Sequence, residues 1–296
     1  MTMLMLGLFL LGPFATLGIW LWLRSRREPA QLIEAFDIGR VMGRSFAAFG
    51  REGWPLAGLA LLLVGLPQVL WMTMLRAMMP QLSAASPGAG ANAQADRLIG
   101  LFHAFPATMI GGMLALLLCS FLFYIAAIRF WAQRGEGRGG TLGSAIRLAP
   151  RLLLPVLAVA MLGYLGFLAS LLLFVVPGVV MALNWLAAIP VMVNERTGII
   201  EALRRSRALA IGSRGRILVV ALLMLVLTML VSLMGNVAMR GLIGDSGPAS
   251  VLLIAVQALV AILSAIVHAG FFAAVYVELR RVREGLAVPM LAEVFA

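Results

Sequence analysis

The residues able to do chemistry are few, and most of them lie inside hydrophobic runs. Gln257, Ser264 and His268 follow one another at spacings of seven and four, which places them on one face of a helix. Asn184 lies beside Trp185 in another apolar run. Polar groups at membrane depth are default candidates for function, and this set reads in two ways. Either it lines a polar path or a lipid head-group pocket, or it makes hydrogen bonds between helices worth about 1 kcal/mol each. No metal site is expected, because the only histidines are His103 and His268 and neither has an acidic cluster beside it. Cys119, the single cysteine, has no partner for an internal disulfide and reads as packing. The 18 methionines are spread through the apolar runs as space-filling side chains. No catalytic residue and no cofactor is assigned, and the chain is not expected to be an enzyme.

The other chemistry is cationic. All 23 basic residues are arginine and the acids number 12, leaving a net charge of +11. Three arginine-bearing stretches align as copies of one unit: Asp37-Ile38-Gly39-Arg40-Val41-Met42-Gly43-Arg44-Ser45, Leu142-Gly143-Ser144-Ala145-Ile146-Arg147-Leu148-Ala149 and Ile199-Ile200-Glu201-Ala202-Leu203-Arg204-Arg205-Ser206. In that register Ile38, Leu142 and Ile199 correspond, as do Val41, Ala145 and Ala202, then Met42, Ile146 and Leu203, then Ser45, Ala149 and Ser206. The four positions fall at i, i+3, i+4 and i+7, one face of a helix. Such a helix lies in the membrane interface with its arginines among head groups. Each arginine near an anionic surface is worth about 1 kcal/mol. The expected ligands are therefore anionic phospholipids at Arg40, Arg44, Arg147, Arg151, Arg204, Arg205, Arg214 and Arg216. The competing reading is a solvated charged face that only sets topology. Nucleic acid is not expected, since the arginines are confined to short segments between hydrophobic runs.

The elements that position these residues follow from hydropathy. Of 296 residues 62% are hydrophobic and 12% charged, about half the charge of a soluble domain, which excludes a soluble enzyme. A helix crossing the hydrocarbon core needs about 20 residues. Uncharged runs of that length occupy residues 3 to 23, 53 to 75, 104 to 128, 152 to 194, 217 to 239 and 246 to 277. The fourth would be roughly 65 Å long as one helix. Broken at Val176-Pro177-Gly178, it reads as a hairpin, and its second arm, the fifth span, has about 16 residues. The prediction is an all-α polytopic bundle of about seven spans. After an N-terminal anchor and basic segment (1–30), a six-span domain (31–284) carries three repeats of interfacial helix plus hairpin, followed by a cytoplasmic tail (285–296).

Arginine counts orient the chain. Twenty lie in alternate loops on one side, against Arg76, Arg97 and Arg240 on the other, and short cytoplasmic loops carry the positive excess. The N-terminus is thus expected outside and the C-terminus in the cytoplasm of a bacterial inner membrane. The first run has no charge before it and Arg24-Ser25-Arg26-Arg27 after it, so it reads as a retained anchor rather than a signal peptide. The outside loop at about 77 to 103 contains Ser83-Ala84-Ala85-Ser86-Pro87-Gly88-Ala89-Gly90, flexible linker chemistry.

Val176-Pro177-Gly178, Ala188-Ile189-Pro190-Val191, Glu195, Gly198, Ala202-Leu203-Arg204-Arg205-Ser206, Leu209, Gly212 and Arg214-Gly215-Arg216-Ile217-Leu218 together resemble the glycerophosphoryl diester phosphodiesterase membrane domain family. Phe36-Asp37-Ile38-Gly39-Arg40 and Arg44-Ser45-Phe46 resemble the start of that domain. The resemblance covers about residues 36 to 284 and departs at Gly215, where the family more often carries a bulky aromatic. It implies a membrane domain of the kind fused in some bacteria to a catalytic domain, here standing alone, with Pro177, Gly178, Pro190, Glu195, Ser206 and Gly212 as its structural motif. Glu195 is placed to pair with Arg196, Arg205 or Arg216. The functional expectation is a lipid- or envelope-related inner-membrane protein. Its alternatives are a transporter or lipid translocator with a cavity between the repeats, and a scaffold that recruits a separate phosphodiesterase or other enzyme.

Overall fold

A computed structural model describes residues 35–47, 53–83, 93–137, 139–173, 175–242 and 249–285. It is helical, with no strand among the described residues. Six helices are long and apolar enough to cross a membrane: Trp54–Met78, Pro106–Gly135, Leu142–Ser170, Val176–Glu195, Arg214–Leu233 and Val251–Glu284. They correspond to the second through seventh expected spans. The all-α polytopic bundle follows from the sequence as expected, while the first run, 3 to 23, and the tail lie outside the described residues. Many leucines on these helices, among them Leu61, Leu154, Leu230 and Leu252, are exposed. A water-facing protein does not present so continuous an apolar exterior, whereas lipid leaves it satisfied.

In chain order the elements are α1 (Ile38–Ala47), α2 (Trp54–Ala60), a π-helical turn (Leu61–Gly65), α3 (Leu66–Ser83), α4 (Ala93–Ala104), α5 (Pro106–Gly135), α6 (Leu142–Leu173), α7 (Val175–Trp185), α8 (Ala188–Glu195), α9 (Ile199–Ala210), α10 (Arg214–Leu242) and α11 (Ala249–Glu284). They form two compact units. Of the described residues, the first takes those within 35–53, 125–228 and 267–285, and the second those within 54–124 and 229–266.

The second unit contains α2, the π-helical turn, α3 and α4 together with parts of α5, α10 and α11. Here one expectation is corrected. The 77–103 segment, expected as an outside loop, is not irregular throughout: α3 continues to Ser83, and Ala93–Ala104 is helical. Ala93, Gln94, Ala95, Arg97 and Leu98 are strong helix formers. Residues 84–92, the bulk of the Ser/Pro/Gly stretch, lie outside the described residues.

In the first unit α6 and α7 form the expected hairpin. Trp185 lies against Gly166, where a β-carbon would collide with the indole ring, so the two arms approach closely because residue 166 has no side chain. The fifth span is longer than expected, 20 residues from Val176 to Glu195, and it is interrupted. Leu186 and Ala187 form a turn between α7 and α8, with Ala187 at φ −91°, ψ 5°. Pro190 supplies no N–H to the Leu186 carbonyl four residues back, which favours a break there.

The three aligned stretches differ in one respect. α1 and α9 are separate short helices, whereas Leu142–Ala149 is the first part of the 32-residue α6 and runs directly into its span. The reason is local. After α9 the chain turns at Gly212, φ 84°, a left-handed conformation that ends helices and that glycine adopts without strain. The second stretch is followed by Pro150, which bends a helix without redirecting the chain. Two of the four aligned positions are nevertheless buried in all three copies, although Ile146 is exposed where Met42 and Leu203 are half-buried. Val41, Ala145 and Ala202 are each fully buried, as are Ser45 and Ser206, with Ala149 nearly so.

Candidate functional site: an arginine–carboxylate network

Every described arginine except Arg76, Arg97 and Arg240 falls in the first unit, where the carboxylates that meet them are also found. Glu278, near the end of α11, is completely buried. An isolated buried carboxylate is costly, and four donors converge on this one. Its Oε1 accepts from Arg40 Nη2 at 2.8 Å, Arg40 Nε at 3.1 Å and the Asp37 backbone N–H at 3.1 Å, while Oε2 accepts from Arg44 Nη1 at 3.3 Å. The i, i+4 spacing of Arg40 and Arg44 puts both guanidinium groups on one side of α1, so a single acid ties α1 to α11.

Asp37 caps α1: its Oδ1 accepts the Arg40 backbone N–H at 3.2 Å, the role aspartate plays at helix starts. That hydrogen bond, reinforced by the Gly39 N–H and the Arg40 charge, holds the carboxyl below its ordinary value of 3.8 against the opposing effect of burial.

A second knot joins α8, α9 and α11. Glu195 Oε2 accepts from Arg205 Nε at 3.1 Å and its Oε1 from the Tyr276 hydroxyl at 3.2 Å. Arg205 also pairs with Glu284. Arg280 Nε reaches Glu284 at 2.8 Å, and Arg280 Nη1 reaches the nearly buried Glu136 at 2.6 Å. Of the three partners expected for it, Arg196, Arg205 and Arg216, Glu195 takes Arg205.

Other arginines stopper helix ends. Arg129 Nη1 donates to the Val193 carbonyl at 3.1 Å and Arg283 to that of Ile211. Val193 lies in the last turn of α8, whose carbonyls have no partner inside their own helix, and Ile211 is the residue that follows α9. Arg216 Nη1 donates to the Phe36 carbonyl at 3.1 Å. At the interruption of the fifth span Ser206 Oγ donates to the Asn184 carbonyl at 2.7 Å, and Arg214 Nε donates to Asn184 Oδ1 at 2.9 Å. Asn184 therefore sits with an arginine of the charged end.

Of the head-group arginines expected from sequence, Arg40, Arg44, Arg205, Arg214 and Arg216 have acceptors inside the protein. Arg147, Arg151 and Arg204 are exposed. The motif residues divide likewise: Gly178, Pro190 and Ser206 are buried, Pro177 is exposed and Gly212 makes the turn after α9. Of the intramembrane polar set, His268 Nε2 lies 3.2 Å from Thr228 Oγ1, and Gln257 and Ser264 are half-buried. Glu278, Tyr276, Glu136 and Glu284 were not singled out from sequence. A carboxylate inside an arginine-rich segment, as Glu278 is beside Arg280 and Arg281, is the signal that marks the three glutamates, and Tyr276 has none. Among the described residues no three of His, Cys, Asp and Glu gather as metal ligands.

No family model, no curated protein and no solved structure matches the chain.

Proposed function

We propose that this integral membrane protein presents its arginine-rich end to anionic phospholipid head groups on the cytoplasmic face of a bacterial inner membrane, N-terminus outside and C-terminus inside. The observation that carries this is the division of the arginines. Arg40, Arg44, Arg205 and Arg214 are half-buried and Arg216 is exposed, and all five donate to acceptors inside the protein, while Arg147 and Arg151 on α6 and Arg204 on α9 are exposed. Exposed cations at the end of a span attract anionic lipid. The gathering of nearly all described arginines in one unit supports the orientation. Like burial at two of the four aligned positions of α1, α6 and α9 supports a threefold helix-plus-hairpin repeat, modified in its second copy.

The motifs around Pro177, Pro190 and Gly212 support kinship with the glycerophosphoryl diester phosphodiesterase membrane domain family and a lipid- or envelope-related role without catalysis. A translocator is favoured by one feature, the interrupted fifth span. Its turn is occupied by Ser206 and Arg214, which favours a structural break instead.

The test is retention of phosphatidylglycerol in native mass spectrometry. Replacing Arg147, Arg151 and Arg204 together by Gln is expected to lower retention without lowering thermal stability in detergent. Unchanged retention refutes the reading.

A further inference from the structure

α9 has two unlike faces. Ala202, Ser206 and Leu209 are buried, while on the opposite side Ile200, Arg204 and Arg207, at i, i+4 and i+7, are exposed and form one stripe. Ile200 is 69% exposed. Arg205, between the two exposed arginines in sequence, is committed to Glu195 and Glu284. Arg204 and Arg207 meet no acceptor among the described residues, and the only acid of α9, Glu201, is exposed beside them. The outward side of the helix is thus net positive and carries an uncovered isoleucine.

The chain that follows α11 leaves from beside this helix. Glu284, the last residue of α11, pairs with Arg205, and Arg283 donates to the Ile211 carbonyl just after α9. Gly285 then adopts φ 61°, the left-handed conformation that ends a helix and redirects the chain. Residues 286–296 read Leu286-Ala287-Val288-Pro289-Met290-Leu291-Ala292-Glu293-Val294-Phe295-Ala296, with Glu293 as the one charged side chain. Leucine, valine, methionine and phenylalanine at this density favour cover from water, and the single charge is opposite in sign to the face of α9. From Gly285 to Glu293 the chain can extend up to about 28 Å, and α9 is only about 18 Å long, so the acid can reach any arginine on it.

We propose that residues 286–296 fold back along the outward face of α9, from the Ile211 end toward Ile200, and that this contact competes with anionic phospholipid for Arg204. Glu293 meets Arg204 and Arg207, and Val294 and Phe295 cover Ile200. The direction follows from the entry point at Ile211, and the register from matching the one acid to the two arginines and the apolar pair after it to the isoleucine. The competition rests on the reading that exposed arginines at this end meet anionic lipid. The docking does not, since it needs only the charge and apolar match between the two segments.

The experiment is disulfide cross-linking in the full chain, in a Cys119→Ser background and lipid-free detergent, between Ile200→Cys and Val294→Cys. An intrachain cross-link is expected. Adding Glu293→Arg should lower its yield roughly two- to fivefold, the range for one exposed ion pair, and adding Arg204→Glu with Arg207→Glu to that variant should restore it. No cross-link, or a yield indifferent to the charge at position 293, overturns the docking. So does a cross-link between two chains, which would assign the face to a second copy. Native mass spectrometry after release from phosphatidylglycerol vesicles reads the competition. Val294→Ser with Phe295→Ser loosens the contact without altering any charge and should raise lipid retention, a gain that vanishes when Arg204→Gln and Arg207→Gln are added. Unchanged retention beside an intact cross-link overturns the competition. A charge-sensitive cross-link with no phosphatidylglycerol adduct even in the wild type supports the docking and refutes the lipid reading, so the two failures are distinguishable.

Discussion

Replacing Glu278 by Gln removes the charge on which four donors converge and leaves the Arg40 and Arg44 guanidinium groups facing a neutral amide. Truncating one partner of a fully buried ion pair costs about 3–5 kcal/mol. Here the acid is completely buried, but the two arginine side chains are each 34% exposed and can turn toward water, so the lower figure applies, about 3 kcal/mol. The loss is local, because Glu278 joins α1 to α11 while the spans are held by apolar packing. The assay is hydrogen exchange across residues 38–47 in detergent or nanodiscs. A 3 kcal/mol drop in opening free energy raises exchange roughly 100-fold, with the middle of α10 unaffected. A second variant separates charge from shape: Arg40→Met and Arg44→Met with Glu278→Leu removes all three charges and should recover most of the protection. Exchange in α1 within threefold of wild type for Glu278→Gln would refute the claim that this acid secures the helix.

Other outcomes follow from single features. Gly212→Ala forces a side chain into φ 84° and should lower unfolding stability by about 1–2 kcal/mol, read from denaturant midpoints; no change would contradict the turn assignment. Gly166→Ala drives a β-carbon into Trp185 and should cost about 1–3 kcal/mol by overpacking, visible as a lower melting midpoint. Asp37 is held below its ordinary value of 3.8, so its cap is fully formed above that pH and is lost as pH falls through the lowered value. Protection factors in α1 should thus be flat from pH 7 to 5 and fall only below about pH 4; a decline beginning near pH 6 would count against it. In a Cys119→Ser background, a cysteine at position 139 should resist an impermeant reagent applied outside intact cells, and labelling there would reverse the orientation.

Hydropathy alone was enough to locate the described spans, because a continuous apolar run of 20 residues has few other uses, and the 43-residue run had to fold back. What it could not locate has a physical explanation in each case. The break at Leu186 and Ala187 carries no glycine, and its only sequence trace is Pro190 three residues on. α6 absorbs the second arginine stretch because Pro150 bends a helix where Gly212 turns the chain. Asn184 read as a lone polar residue within an apolar run, yet it is the acceptor for Arg214, a pairing between positions 30 residues apart that periodicity does not encode. The arginines were all visible as positive charge. Which of them are committed inside the protein depended on where Glu136, Glu195, Glu278 and Glu284 are brought by folding, and single acids have no spacing pattern to read.

The central claim is that the arginines divide into a set that holds the bundle end together and a set that meets anionic lipid. The most direct test is the melting midpoint in nanodiscs of phosphatidylglycerol compared with phosphatidylcholine, for two variants side by side. With Arg147, Arg151 and Arg204 replaced by Gln, the account predicts that the extra stability in phosphatidylglycerol disappears while the midpoint in phosphatidylcholine is kept. With Arg205→Gln it predicts a lower midpoint in both lipids, because Glu195 and Glu284 each lose an arginine partner. The reverse pattern, a triple variant destabilised in both lipids and an Arg205 variant sensitive only in phosphatidylglycerol, would contradict it.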